Sequence, residues 1–303
     1  MKIGYIGLGK MGLNMVSRLL EQGVDVVAYN KTPTATKEAV EFGATGAYSL
    51  TELAEKLEDH TTVWLMVPHF AVDDVLEELT PLLNDGAIVI DGGNSYYEES
   101  RRRNKALAEK GIRYLDCGVS GGPEGARNGA CCMIGGDKEA FGALEELFKK
   151  ISAPDAYGYF GPSGAGHFVK MVHNGIEYGM MQAIAEGFDI MKHHCDYTLD
   201  LEKVADVYNH ESVITSRLIG WLKSGYGTFG QDLSEVPGSA AASGEGKWTI
   251  DLAHKISIPD KVIHEAYNSR VKSQKKPSYQ GKIIQTLRNQ FGGHPIEKKE
   301  IIS

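Results

Sequence analysis

Cysteine is scarce in this chain, with four among 303 residues, at positions 117, 131, 132 and 195. Their spacing forms neither a disulfide framework nor the paired C-x-x-C motifs of a structural zinc site. His193 and His194 are adjacent but lack companion ligands at a suitable spacing. The sequence therefore predicts no disulfide scaffold and no metal.

The chain also lacks an excess of positive charge and a long apolar run. It has 32 Lys and Arg against 40 Asp and Glu, a net charge of −8, which argues against a dedicated nucleic-acid binder because phosphate backbones attract a positive surface. No window holds about 18 uninterrupted apolar residues. The apolar run in residues 1–9 is short and broken by glycine, unlike a secretory signal. We therefore expect a cytoplasmic protein with no nucleic-acid or membrane partner.

Composition and length instead indicate a globular protein of two domains. Hydrophobic residues make up 42% and charged residues 24%, which is enough apolar material for a sizeable core. At about 150 residues per domain the length suggests two domains. Glycine is frequent, with 36 residues, and clusters at a few turns. These clusters are the first places to look for a binding site.

Strands and helices alternate through the first half of the chain. Short β-branched or apolar runs predict strands at 3–6, 24–29, 63–67 and 88–90. Helical patterns follow them at 11–22, 50–57, 72–83 and 97–110. Such alternation implies parallel βαβ units. The predicted fold is α/β, with a doubly wound Rossmann domain over residues 1–162.

The second half has a different pattern. After residue 161 the strand signal fades, and residues 165–192 form one long, largely apolar helical run. The remainder reads as mostly helical, with loops predicted at 225–230 and 237–246 and a loose tail at the end. We therefore expect an all-α domain over residues 163–303, which binds substrate and dimerises.

A glycine motif, GLGKMG at residues 7–12, follows the first predicted strand and opens the first helix. This is the setting in which G-x-G-x-x-G binds a dinucleotide. Gly7 permits the tight turn, Gly9 lets the backbone approach a pyrophosphate, and Gly12 lets the helix pack on the strand. The predicted cofactor contacts are Gly7, Leu8, Gly9, Lys10, Met11, Gly12, Asn30, Lys31, Thr32, Met66, Val67, Pro68 and Asn94.

The end of the second predicted strand indicates which dinucleotide is bound. NAD-binding domains place an acidic residue there to hold the ribose hydroxyls, but this chain has Asn30, Lys31 and Thr32. An amide, a positive charge and a hydroxyl suit a 2′-phosphate. We therefore favour NADP over NAD, although a lysine is less decisive than an arginine because it makes no bidentate contact.

Four polar residues share one face of the long predicted helix. Lys170, His173, Asn174 and Glu177 occupy positions i, i+3, i+4 and i+7, and apolar residues fill most of the rest. Charges on a buried helix are costly unless paired or functional. A simple Lys–Glu salt bridge would explain two of them, whereas the interposed histidine and asparagine favour a catalytic stripe.

Two further polar segments fit a substrate cleft. DGGNS, at residues 91–95, follows the fourth predicted strand at its carboxyl end, where open α/β sheets bind ligands. GVSGGPEG, at residues 118–125, offers small side chains and backbone donors. Each alone is compatible with an ordinary turn.

Together these motifs resemble those of 6-phosphogluconate dehydrogenase, the decarboxylating enzyme of the β-hydroxyacid dehydrogenase group. GLGKMG, DGGNS, VSGG, KMVHNGIEYG, GKWT and RNQFGGH occur in the family's order over nearly the whole chain. The chain is much shorter than the long members and looks like a compact, short-chain form. By this resemblance, the substrate contacts would be Asn94, Ser120, Gly121, Gly122, His173, Asn174, Glu177, Tyr178, Lys247, Thr249, Arg270, Arg288 and His294.

The resemblance also implies a mechanism. Lys170 would act as general base when NADP or NAD oxidises the 3-hydroxyl of 6-phosphogluconate, and Glu177 would protonate the enediol left after loss of CO2. A lysine base needs a pKa below its usual value of about 10.4, which burial or a nearby cation would provide. The family is at least dimeric, so we expect a homodimer or homotetramer here, and in long members the positions of Arg288 and His294 come from the partner subunit. Whether they act within their own subunit here stays open.

The charge pattern supports a phosphate-bearing substrate. From Ser269 to Arg288 the chain carries six basic residues and no acidic one, within a protein of net charge −8. Arg270 and Arg288 are the better candidates because a guanidinium binds two phosphate oxygens at once. A solvated helix face is the alternative explanation.

Two other functions are alternatives to a decarboxylating dehydrogenase. A non-decarboxylating 3-hydroxyacid dehydrogenase or reductase would share Lys170 and Asn174, but it has no use for His173, Glu177 and the GKWT and RNQFGGH segments. A catalytically silent NADP sensor or scaffold would not need Lys170 and Glu177 on one buried face.

Overall fold

The computed structural model describes residues 1–58, 62–242 and 244–296. The chain divides into two compact units, Met1–Met171 and Val172–Ser303. The prediction had placed a domain boundary at 162/163, before the long helix. In the structure that helix begins in the first unit and continues into the second.

The first unit is an α/β unit built on one eight-stranded sheet. Its strands are β1 Lys2–Ile6, β2 Asp25–Tyr29, β3 Thr45–Ala47, β4 Thr62–Leu65, β5 Ile88–Asp91, β6 Arg113–Ser120, β7 Ala130–Gly136 and β8 Ser152–Gly161. Its helices are α1 Lys10–Glu21, α2 Pro33–Glu41, α3 Leu50–Leu57, α4 Val72–Leu79, α5 Tyr97–Ala108, α6 Gly122–Asn128, α7 Lys138–Ala143 and α8 Glu145–Ile151, with 3₁₀ turns at His69–Ala71 and Thr80–Leu82.

The sheet confirms the predicted doubly wound fold. Its strand order is β3-β2-β1-β4-β5-β6-β7-β8, and every neighbouring pair is parallel except β6 and β7. The order reverses beside β1, and ligands of such sheets bind at this reversal, outside the carboxyl ends of the strands. Two apolar cores, one on each face, fix the sheet between helices: one contains Trp64 and Phe148, the other Leu53 and Leu65.

Four strands were not among those predicted, namely β3, β6, β7 and β8. The sequence of β6 interrupts its apolar run with Asp116 and Gly118, and β8 contains Pro154 and is largely solvent-accessible. Neither therefore shows the continuous β-branched pattern of a buried parallel strand. Their pairing partners, rather than their own propensity, place them in the sheet.

All the regular secondary structure in the described residues of the second unit is helical, as predicted. The unit comprises α9 Ala165–His193, which it shares with the first unit, α10 Leu201–Tyr208, α11 Arg217–Phe229, α12 Gly244–Lys255, α13 Lys261–Lys275 and α14 Tyr279–Gly292. A core that includes Phe188, Leu222 and Leu287 joins α9, α11 and α14. None of the helices in residues 1–58, 62–242 and 244–296 is long and apolar enough to cross a membrane.

The loop prediction at 225–230 is wrong. These residues, except Gly230, form the last turns of α11, and Tyr226 is in the core. A Cβ on Gly225 would lie 2.1 Å from Cγ2 of Thr286 on α14, so this glycine serves close helix packing rather than a turn. The loop predicted at 237–246 is correct over 237–242, but α12 already begins at Gly244.

Candidate active site

The glycine loop has the geometry that a dinucleotide requires. Gly7 adopts a φ of +99°, and a Cβ there would lie 2.3 Å from the carbonyl oxygen of Met66. A Cβ on Gly12 would lie 2.0 Å from the carbonyl oxygen of Gly7. A Cβ on Gly9 would meet nothing within 4 Å, so the space in front of Gly9 is open to a ligand. The loop therefore fits a pyrophosphate at the amino end of α1.

The segment after β2 is partly engaged within the protein. The Asn30 side chain accepts a hydrogen bond from the Leu8 amide (2.9 Å) and donates one to the Thr32 carbonyl (3.1 Å). Lys31 and Thr32 are exposed. Asn30 thus ties the glycine loop to the end of β2, and Lys31 is the cation available beside it.

The predicted contacts after β4 and β5 lie on neighbouring strand ends. Met66 and Val67 are half-buried, and Pro68 and Asn94 are exposed. A Cβ on Gly93 would lie 2.7 Å from the Val67 carbonyl oxygen, so the turn bearing Asn94 packs closely on the segment after β4.

A fully buried carboxylate, Asp91, holds this turn in place. It accepts hydrogen bonds from the Gly93 amide (3.0 Å), the Ser95 hydroxyl (2.7 Å) and the Tyr114 hydroxyl (3.1 Å), and pairs with Arg103 at 3.4 Å. Burial of the Tyr114 phenol raises its pKa well above the usual value, and the charge of Asp91 adds to the effect.

Lys170 is buried, with 7% of its surface exposed, as predicted. It lies on α9 against β6: a Cβ on Gly118 would be 2.3 Å from its Cβ and 2.9 Å from its Cγ. Gly166, one turn earlier, is equally close, since its Cβ would lie 2.5 Å from the Asp116 carbonyl oxygen. Two glycines therefore let the lysine stem lie directly on the sheet.

Asp116 positions the start of the same helix. Its carboxylate, which is fully buried, accepts hydrogen bonds from the amides of Gly164 (2.7 Å) and His167 (2.9 Å). A carboxylate at a helix amino terminus satisfies free N–H groups and complements the helix dipole. The imidazole of His167 in turn lies 2.7 Å from the Ser100 hydroxyl.

The VSGG segment ends β6 and starts α6. Ser120, Gly121 and Gly122 are half-buried, and both glycines have positive φ, 119° and 63°. That left-handed backbone disfavours any residue with a Cβ. The turn thus presents backbone and one hydroxyl, as predicted.

In the second unit, the polar stripe of α9 is half-buried. His173 Nδ1 lies 2.9 Å from the Asn174 side-chain oxygen and 3.8 Å from a carboxylate oxygen of Glu177. The helix is not buried all round as predicted, because Ile176 and Met180 are 53% and 43% exposed.

Two arginines of the basic segment come together beside Tyr178. The Arg270 guanidinium, on α13, is 97% buried and lies 3.4 Å from the centre of the Tyr178 ring. Burial lowers the pKa of Arg270 to about 10; Tyr178 opposes this shift, and the charge of Arg288, on α14, adds to it. Burial also lowers the pKa of Arg288. Both groups are still charged near neutral pH.

The charge of Glu177 acts on Arg270 and raises its pKa against the effect of burial, but no carboxylate of the described residues forms an ion pair with either arginine. Arg270 contacts the Met181 sulfur (3.2 Å), and Arg288 donates to the Gln285 side chain (3.0 Å). Two like charges, one buried and one half-buried, are unfavourable together unless an anion binds between them. The pair therefore has the chemistry of a phosphate site.

The remaining predicted substrate residues have other contacts. The Lys247 ammonium pairs with Asp251 at 2.7 Å, and this pair raises the pKa of Lys247. Thr249 is buried, donates to the Glu245 carbonyl (2.9 Å) and packs on Gly175. His294 is exposed past the end of α14, with its ring edge-on to Phe291.

Two family models match successive parts of the chain. Residues 2–161 match the NAD-binding domain of 6-phosphogluconate dehydrogenase, and residues 166–300 match its C-terminal domain. The chain belongs to the 6-phosphogluconate dehydrogenase family.

Relatives of this family match the chain along its length. A Bacillus subtilis protein provisionally named a 6-phosphogluconate dehydrogenase is 45% identical over 299 residues, covering 99% of this chain and all of that protein. The NAD(+)-dependent, decarboxylating 6-phosphogluconate dehydrogenase of Haloferax volcanii is 40% identical over 302 residues, with the same coverage. The Plasmodium falciparum 6-phosphogluconate dehydrogenase, solved with NADP+ and with 6-phosphogluconate, superposes with a TM-score of 0.81 at 35% identity, covering 91% of this chain and 62% of that one.

Two residues that support this candidate site, Asp116 and His167, are not among those predicted from the sequence. A detectable signal was present, because Asp116 is an acidic residue inside the apolar run YLDCGV. A buried charge in a strand requires partners, and here they are the amides that begin α9. Those partners lie about 50 residues away in sequence, so the motif alone could not identify them.

Proposed function

We propose that this protein oxidises and decarboxylates 6-phosphogluconate to ribulose 5-phosphate and CO2, with reduction of NADP. The family supplies the reaction class. The observation that carries the substrate class is the neighbouring pair of buried Arg270 and half-buried Arg288, which forms no ion pair with a carboxylate in the described residues and suits a phosphate.

NADP is the proposed cofactor, held by the glycine loop, Asn30 to Thr32, Met66 to Pro68 and Asn94. Relatives differ here: the Haloferax enzyme is named NAD(+)-dependent, and the Plasmodium enzyme was solved with NADP+. Exposed Lys31, with no acidic residue beside it at the end of β2, supports NADP. When bound, the nicotinamide supplies a hydride acceptor.

Lys170 is the proposed general base for the oxidation. Its stem lies against Gly118 and only 7% of the residue is exposed, so the side chain is held away from bulk water, as a general base in a cleft requires. The amine takes the proton of the 3-hydroxyl as the C3 hydrogen leaves as hydride, which gives a β-keto acid. The protonated Lys170 then donates a hydrogen bond to the new keto oxygen.

Decarboxylation follows from the substrate's own electronic structure. Loss of CO2 leaves an electron pair that the keto group delocalises as an enediolate, and the hydrogen bond from protonated Lys170 stabilises its oxygen. Glu177, on the same helix two turns later, protonates C1 to give ribulose 5-phosphate. His173 and Asn174 lie next to Glu177 and are proposed to orient the substrate hydroxyls.

The other predicted substrate contacts are part of the proposal. Asn94 and the VSGG turn are proposed to contact the substrate, and Tyr178 packs on the guanidinium of Arg270. Lys247, Thr249 and His294 are also proposed to contact the substrate. Lys247 would have to leave Asp251 to do so, and Thr249 contributes through the packing of α12 on α9.

We further propose that the protein is cytoplasmic and forms a homodimer or homotetramer. The exposed apolar side chains of Ile176 and Met180 on α9 support the association.

Incubation with 6-phosphogluconate and NADP tests the assignment directly. We expect NADPH and CO2 in equal amounts, with ribulose 5-phosphate as the sugar product. NADPH without CO2 would instead identify a non-decarboxylating 3-hydroxyacid dehydrogenase. Binding of NADP without turnover of any 3-hydroxyacid would identify a sensor.

A further inference from the structure

Three side chains of potential metal ligands converge in the second unit, outside the proposed catalytic residues. His254 lies near the end of α12, Asp260 immediately precedes α13, and His264 is in the first turn of α13. One ligand atom from each lies within 4.8 Å of those from the other two. Two histidines and one carboxylate form a common ligand set for divalent transition metals.

The distances differ from those of ordinary ion pairs. Oδ2 of Asp260 lies 3.4 Å from Nε2 of His254 and 3.7 Å from Nδ1 of His264. A charged hydrogen bond between such groups would measure about 2.7–2.9 Å. Ligands bound at about 2.0–2.1 Å around a tetrahedral zinc lie about 3.3–3.4 Å apart. The carboxylate oxygen is therefore separated from both imidazoles by a spacing that an ion would bridge.

The same oxygen is buried without a hydrogen bond. Among the residues that the structure describes, Oδ2 of Asp260 has neither solvent exposure nor a hydrogen-bond partner. Buried carboxylate oxygens are normally satisfied, and a missing ion is one of the recognised reasons for an exception. Both histidines are more accessible, 55% and 38% exposed, which leaves a path for an ion from solvent.

Asp260 does not cap the helix that it precedes, although its position would allow it to. It occupies the N-cap of α13 but makes no capping hydrogen bond. At two other helices an aspartate in the same position does cap: Asp200 accepts from the Lys203 amide (3.0 Å) and Asp137 from the Ala140 amide (2.6 Å). An N-cap aspartate usually stabilises its helix in this way. At Asp260 the carboxylate instead faces the two histidines.

We propose that His254, Asp260 and His264 bind one divalent transition-metal ion of the zinc class. Three protein ligands leave a fourth position for water. The ion connects the end of α12 to the start of α13 across residues 256–259, and so stabilises the helix that carries Arg270. The site adds no metal to the proposed reaction and does not depend on it.

Cobalt(II) provides a direct test because its visible spectrum reports coordination. The full, tag-free chain is stripped with a chelator, titrated with Co²⁺ and then challenged with Zn²⁺. We expect visible bands of four-coordinate cobalt that saturate at one equivalent and disappear when Zn²⁺ is added. Asp260→Asn, which keeps the shape of the side chain, and His264→Asn should each weaken binding by at least about 100-fold, the upper range of the loss from removing a metal ligand's supporting partner.

His210→Asn is the matched control. His210 faces Asp206 four residues earlier, at 3.9 Å, as His264 faces Asp260, but no second histidine joins that pair among the described residues. This variant should bind Co²⁺ like the parent, and circular dichroism should show that all variants are folded. Absence of cobalt bands in the parent, or bands of equal strength in Asp260→Asn and His264→Asn, would overturn the proposal. Neither result would affect the proposed dehydrogenase activity.

Discussion

The two units prepare their ligand-binding surfaces in opposite ways. In the first unit, glycine brings backbone close to other groups at Gly7, Gly12 and Gly118, and the buried carboxylates of Asp91 and Asp116 accept hydrogen bonds from backbone amides behind these turns. In the second unit, the helices bring side-chain charges together, and Arg270 and Arg288 form no ion pair with a carboxylate among the described residues.

The first unit therefore recognises its ligand mainly by the shape of its backbone, and the second mainly by side-chain charge. A backbone surface is preformed and tolerates no added Cβ, so substitutions there act through sterics. A surface of unpaired guanidiniums is completed only by an anion, so substitutions there act through substrate affinity. Substitutions in the first unit should therefore act through sterics, and substitutions in the second unit through substrate affinity.

Lys170 is the exception in the first unit, because its proposed role depends on the chemistry of a side chain and not on the backbone. Lys170→Met should lower kcat by at least about 1,000-fold, since it removes the general base, and should leave NADP binding within about two-fold. Steady-state kinetics and NADP titration by fluorescence measure the two effects. Lys138→Met, at an exposed position of the same unit, is the control and should retain full activity. Turnover within ten-fold of the parent would remove Lys170 from the mechanism.

Arg288 tests the rule of the second unit. Arg288→Ala should raise KM for 6-phosphogluconate by about 10- to 150-fold, the equivalent of losing one charged hydrogen bond worth about 1.5–3 kcal/mol. Arg288→Lys should recover only part of this loss because an ammonium makes no bidentate contact.

The control comes from the same basic segment. Lys272 is exposed, 73% by side chain, and lies near Glu265, so Lys272→Ala should change KM by less than two-fold. An unchanged KM in Arg288→Ala would contradict a phosphate site. If Arg288→Ala instead affected non-phosphorylated gluconate as strongly, the arginine would bind another part of the substrate.

Sequence reasoning recovered the first unit better than the second for a physical reason. The glycines of GLGKMG follow a strand and open a helix, and this local context determines what they do. The glycines of GYGTFG were misread as a loop because their role is set by Thr286, which approaches Gly225 from another helix. A glycine that permits close packing looks the same in sequence as one that permits a turn.

The arginine site shows the same limit. Sequence marked the whole basic segment as a candidate and preferred the two arginines for their chemistry. It could not show that Lys272, Lys275 and Lys276 would be exposed while Arg270 would be buried against Tyr178. That selection depends on how α9, α13 and α14 pack, which no local pattern contains.

The glycine loop offers a comparison within one motif. Gly12→Ala should lower the free energy of unfolding by about 1–3 kcal/mol, because its Cβ would meet the Gly7 carbonyl. Gly9→Ala should cost less than about 1 kcal/mol, since nothing lies within 4 Å of its Cβ, yet raise KM for NADP by about ten-fold where the pyrophosphate approaches. Denaturant unfolding and cofactor kinetics measure the two. A Gly9→Ala variant with normal KM would show that the dinucleotide does not pass over this residue.

Lys31 should have the smallest effect, because it is an exposed charge beside a backbone-built loop. Lys31→Ala should lower kcat/KM for NADP by about five-fold, the equivalent of about 1 kcal/mol for an exposed ion pair, and leave NAD unaffected.

Asn30→Asp should lower kcat/KM for NADP more strongly than Lys31→Ala does. Its carboxylate can still accept the Leu8 amide, while it repels a 2′-phosphate and accepts the ribose hydroxyls of NAD. Asn30→Asp also loses the hydrogen bond that Asn30 donates to the Thr32 carbonyl, but this bond is exposed and the glycines of the loop are unchanged, so total activity with the better cofactor should persist. A parent enzyme with higher kcat/KM for NAD than for NADP would refute the NADP assignment and place this chain with its Haloferax relative.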